Sequence, residues 1–135
     1  MSDLTQKLED EVLVMLLDGD DPVLEVLRRQ LVCARRSSRE LTGAGFFTNF
    51  EVPSTAYRFQ GQPSFTIGDV VAEIEGLQFG AGFVLHVVEG ALNFLEAFSY
   101  EEPWPKSITS FKLSYPNNQR DYASLRSARG WPVQE

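Results

Sequence analysis

One cysteine and one histidine in 135 residues set the first limits on this chain. Cys33 has no partner for an internal disulfide, and its place in a helical pattern predicts a small, buried, reduced thiol with no catalytic task. Because His86 is the sole imidazole, any Ser-His-acid triad would have to use it, which argues against a hydrolase of that kind. The stretches "TGAGFF" and "GLQFGAGF" lack the Lys-Ser/Thr of a phosphate loop and the GxGxxG order of a dinucleotide site, so they read as turns and bulges. Ser37-Ser38 has none of the context of a nucleophile elbow. Basic residues are outnumbered 12 to 19, and the formal charge of −7 repels phosphate backbones, so nucleic acid is not an expected partner. No apolar run approaches the ~18 residues of a membrane span. The opening "MSDLTQKLED" carries acids where a signal peptide would carry bases, so the expectation is a cytoplasmic protein with no membrane partner.

The chain is not short of core material. Hydrophobic residues make up 43%, with ten Phe, four Tyr and two Trp, enough for one domain spanning 1–135. Asp3 and Gln6 read as a capping box for a first helix whose apolar positions are Leu4, Leu8, Val12, Met15 and Leu16. Asp21-Pro22 opens a second helix with the stripe Val23, Leu27, Leu31 and Ala34, which completes a helical hairpin over 3–36. Arg28, Arg29, Arg35, Arg36 and Arg39 fall within twelve positions and read as a solvated helix face, with cations favoured near the C-terminal dipole.

From residue 44 the period becomes two. "GFFTNFEVP" is a first strand, 54–67 a surface loop ending in a short extended piece, "GDVVAEIEG" a second strand, and "GFVLHVVEGALNFLEAF" a hairpin. A primed turn at Glu89-Gly90 sets Val88 against Ala91, Val87 against Leu92, Leu85 against Phe94 and His86 against Asn93. "SITSFKLSYP" supplies a fifth strand, and a tail, 117–135, follows with one or two helical turns and Trp131 as an anchor. The predicted fold is α+β, with the helical hairpin packed on one face of an antiparallel sheet of about five strands over 44–116.

If the helices cover Phe46, Phe50, Val70, Ile74, Leu85, Phe94, Phe111 and Leu113, the other face carries a mixed set. That set is Phe47, Asn49, Glu51, Glu73, Glu75, Val84, His86, Val88, Asn93, Leu95, Ala97, Lys112 and Ser114. A half-apolar sheet face of this kind suits a partner. His86 reads either as a structural histidine bonded across to Asn93 or as a contact in a partner or ligand site. Glu73 and Glu75, two apart on a strand, project carboxylates to one side roughly 6.5 to 7 Å apart at the backbone. With Glu51 and His86 they allow a weak oxygen-and-imidazole metal site to be drawn, but the spacing lacks the density of a metal motif, and no metal or other cofactor is assigned. In "YEEPWPKS", two prolines stiffen the loop around Trp104, which reads either as a binding edge or as a ring closing the core.

The segments "SRELTGAGFFTNFEVP", "GDVVAEIEGLQFGAGFVLHVVEGALNFLEAFSYEEPWP" and "FKLSY" together resemble a group of small uncharacterised bacterial proteins, over roughly residues 37 to 115. The resemblance implies a bacterial cytoplasmic origin and a fixed α+β design, with no activity to transfer. In size, acidity and fold class the chain is also similar to immunity proteins that neutralise secreted toxins.

The leading expectation is a non-enzymatic protein-binding module of immunity or adaptor type, holding a basic partner through Phe47, Asn49, Glu51, Glu73, Glu75, His86, Asn93 and Trp104. A second is a small-molecule or metal binding protein, or an enzyme, using Glu73, Glu75 and His86 in a pocket between the sheet and loop 54–67. A third is a homodimer through the sheet face, which a charge at Leu95 would split.

Overall fold

Asp21 begins the second helix where its side chain and the following proline require. In a computed structural model that describes residues 3–132, its Oδ1 accepts the Val23 N–H at 2.8 Å and Pro22 occupies the first turn of α2 (Pro22–Cys33). Helix α1 (Thr5–Leu16) starts differently from expectation. The Asp3-Gln6 capping box does not form; the Asp3 carboxylate accepts the Thr5 N–H at 3.1 Å and the distant Ile108 N–H at 2.9 Å, while Gln6 donates to Asp10.

Six strands follow, not five: β1 (Arg35–Leu41), β2 (Gly45–Glu51), β3 (Phe65–Ile74), β4 (Ala81–Val88), β5 (Ala91–Ser99) and β6 (Phe111–Ser114). They form one antiparallel sheet in the order β1-β2-β5-β4-β3-β6, and a short helix α3 (Tyr122–Arg126) lies in the tail. The fold is α+β with an N-terminal helical pair.

The added strand corrects the helical boundary at 36 and the sheet boundary at 44. "RRSSREL" has no apolar alternation because every residue of this edge strand is exposed, so nothing in its hydropathy separates it from a polar helix face. Arg35, Arg36 and Arg39 therefore stand on a strand. Arg36 and Arg39 reach down to Glu9 of α1, which has no exposed surface and also accepts the Thr48 hydroxyl. Cys33, expected to be buried, is exposed at the end of α2. The short extended piece expected at the end of 54–67 is Phe65, Thr66 and Ile67, which form the start of β3.

The helices bury Leu8, Val12 and Leu16 of α1 and Val23, Leu24 and Leu27 of α2 over Phe46, Val70, Phe83, Leu85 and Leu95 of the sheet. Two buried polar side chains fix this layer. Gln30 donates to the Tyr57 and Gly90 carbonyls at 2.9 and 3.0 Å and accepts the Leu92 N–H at 2.9 Å, which ties α2 to the tip of the β4-β5 hairpin. Arg120 donates to the Met15, Leu16 and Asp18 carbonyls at 3.1, 2.6 and 2.5 Å and to both carboxylate oxygens of Asp69. Helix α1 has no basic residue in its own last turn, so the tail supplies the cation that its dipole favours. Beside Arg120, the Tyr115 hydroxyl donates to Met15 O at 2.6 Å, and in the tail Trp131 packs on Phe65 with ring centroids 5.2 Å apart.

Arg120→Met removes the donor shared by those carbonyls and Asp69, leaving Met15 O with the Tyr115 hydroxyl, and urea unfolding is expected to show a loss of about 3 kcal/mol. Arg35→Ala, which removes an exposed pair with Glu51, is expected to cost no more than about 1 kcal/mol in the same assay.

Burial, with Asp18 and Asp69 adding to it, raises the Tyr115 phenol above its ordinary range against the opposing field of Arg120. The resulting stabilisation is complete below the unfolded-state value and is lost as pH rises through the folded one. Alkaline unfolding followed by circular dichroism should therefore show a limb that Tyr115→Phe removes.

Candidate functional site: the helix-free sheet face

The composition of the uncovered face is decided by one extra residue. Glu89 and Gly90 both adopt left-handed backbone, φ 50° and 82°, and the turn pairs Val88 with Ala91 and Val87 with Leu92 as the sequence predicts. The register then shifts, and the next pair is His86 with Phe94. Asn93 is left as an exposed bulge residue. From there on the faces of β5 are the reverse of those expected. Leu95 and Ala97 lie in the core at 0% and 2% exposure, while Phe94, Glu96 and Phe98 look out from the helix-free side. Leu85 opposes Leu95, and Asn93 makes no pair with His86.

Aromatic rings occupy the centre of this face. Phe47 meets Phe94 edge-on with centroids 5.5 Å apart, and His86 lies flat on Phe94 at 4.0 Å. His86 Nε2 stands 3.3 Å from Glu96 Oε1. His86 is thus a stacked, half-buried member of an aromatic array. Further along, Phe98 pairs with Tyr100 at 5.5 Å, and both rings cross the strand at Gly82, where a Cβ would come within 2.6 Å of Phe98. The array is bordered by Asn49, whose amide donates to Ser38 and Glu40 of the edge strand, and by Glu51, which pairs with Arg35 at 2.5 Å.

Glu73 lies at the other end of β3 from the residue opposite His86, which is Thr66, and Glu75 follows just past the strand. Thr66 and Glu73 are seven positions apart along the strand, about 23 Å. Glu73, Glu75, Glu51 and His86 therefore do not converge, and among the described residues no group of three or more His, Cys, Asp or Glu side chains is placed to hold a metal ion. The two glutamates instead line an open cleft of about 750 Å³ together with Phe79, Tyr100 and Lys112, and no residue of loop 54–67 contributes to it. The pocket expected between the sheet and that loop, uniting Glu73, Glu75 and His86, is absent from the described residues.

Trp104 is half-buried and sets its ring edge against Phe46 at 5.7 Å, so it closes the end of the core. The neighbouring Glu102 has the more specific task, because its carboxylate accepts the Gln78 and Phe79 N–H groups at 2.8 and 2.9 Å. Phe94, Glu96, Phe98 and Phe79 were missed as surface groups. For the first three the only signal was the extra residue at Asn93, which alternation alone does not reveal.

Comparison with known proteins gave no matching family model, no matching curated protein and no matching solved structure. No helix among the described residues is long and apolar enough to cross a membrane.

The reversed register sets two neighbouring positions apart. Leu95→Glu puts a carboxylate into the core and is expected to abolish the cooperative thermal transition. Phe94→Gln should keep that transition and cost about 1 to 2 kcal/mol in lost ring contacts.

Proposed function

We propose that this chain is a non-enzymatic protein-binding module, of immunity or adaptor type, that holds a basic partner on the helix-free face of its sheet. The observation that carries this reading is the array of Phe47, Phe94, His86 and Phe98 on the side opposite both helices. Rings that pack on one another present a rigid apolar surface whose ordering entropy is already spent, a property of the anchors in protein interfaces. Around them stand Asn49, Glu51 and Glu96, which provide a polar rim. The formal charge of −7 favours a basic partner, since opposite charge speeds encounter. Dispersal of Glu73, Glu75 and His86 supports binding over acid-base chemistry at a shared centre.

A photo-crosslinking side chain placed at Phe98 or Val88 on the free face, with a control at Val14 on the exposed side of α1, tests the proposal in cells. One protein adduct of constant mass is expected from both sheet positions and none from Val14, and mass spectrometry of the adduct should identify a basic protein. Equal labelling from Val14, or no adduct from the sheet, would refute it. An adduct of the chain with itself would move the face to homodimer formation.

A further inference from the structure

Where β3, β4 and β6 approach one corner of the sheet, the free face runs into the open cleft of about 750 Å³. Two of its aromatic walls are unusually bare for rings of their size: Phe79 is 62% and Tyr100 44% exposed. The Glu102 carboxylate clamps the backbone of the turn through both the Gln78 and Phe79 N–H groups, and the Phe79 ring lines the cleft. Beside the rings stand Glu73 and Glu75, both exposed. Neither has a cation within 4.0 Å among the described residues, even though Lys112 is the register partner of Glu73 and lines the same cleft.

We propose that this cleft is the subsite that takes an arginine or lysine side chain from an extended segment of the protein partner. The assignment rests on the reading of the free face as a partner surface and names the group that enters its acidic corner. The charged head meets the two carboxylates, the aliphatic stem lies along Phe79 and Tyr100, and a guanidinium or ammonium over either ring gains the attraction of its π face. An anion is repelled by the same carboxylates. A divalent metal would find only two carboxylate side chains, since no third acid, histidine or cysteine joins them.

The probe is a blocked hexa-arginine peptide titrated into the ¹⁵N-labelled full chain, with blocked hexaglutamate as the control. Amide shifts are expected to concentrate at 73–80, 100 and 110–114 with the basic peptide only. At constant ionic strength, the double variant Glu73→Gln/Glu75→Gln and the single variant Phe79→Ala should each weaken binding about fivefold or more. Glu11→Gln/Glu25→Gln, which removes the same charge from the helical surface, should change it by less than about twofold. All these side chains are exposed, so the variants keep the fold. Equal weakening by both double variants would show diffuse attraction to an acidic protein and overturn the subsite, as would full affinity in Phe79→Ala. Shifts confined to Phe47, His86 and Phe94 would overturn the cleft while leaving the partner face standing, and no shifts at all would count against both.

Discussion

Three hydrogen bonds from the buried amide of Gln30 hold the helical layer to the sheet. Its amide spans from α2 to the Gly90 carbonyl and the Leu92 N–H, the backbone groups at the tip of the β4-β5 hairpin. A bulge interrupts the ladder beside this tip, and a buried N–H there needs a partner from outside the sheet. Gln30 satisfies it at a position with 1% exposure, so the helix that covers one face also stabilises the irregularity that determines the other. Without that extra residue the aromatic side chains of β5 would point into a core already occupied by Leu85 and Phe83. The composition of the helix-free face thus depends on a glutamine located on the opposite side of the sheet.

The same arrangement recurs. Glu9 is buried in α1 and neutralised by Arg36 and Arg39 of the edge strand, and Asp69 is brought to Arg120 where β3 shifts register between Ile67 and Val70. Each register shift in the sheet has a polar side chain near it that bonds a helix or the tail. Apolar packing gives the two layers their affinity, and these few charged and amide groups give them a single alignment.

Elements with strong local chemistry were readable in advance. Asp21-Pro22 opens a helix and Glu89-Gly90 closes a hairpin because cap and turn geometry depend on two or three adjacent residues. The helix layer over Phe46, Val70 and Leu85 followed from periodicity. What the residues concealed was set by distant partners. Strand β1 is held by backbone pairing and by Glu9, neither of which leaves an apolar rhythm in "RRSSREL". The outward, half-buried position of Phe94 and the burial of Leu95 turn on a bulge stabilised from another element, so simple alternation assigned both to the wrong face. Phe47, Asn49 and His86 share the helix-free face, as alternation predicts, whereas the distance of Glu73 and Glu75 from His86 is set by the register between β3 and β4, which alternation does not give.

Arg120 joins segments that are far apart in the chain. The carbonyls it caps belong to residues 15, 16 and 18, more than a hundred positions earlier, so the end of α1 is completed by a contact of very long sequence separation. Such a contact requires the sheet between the two segments to be in place, because the long loop has to be closed before the bonds can form. Loss of this one arginine would therefore be felt at the far end of the chain, in the helical layer behind the aromatic face.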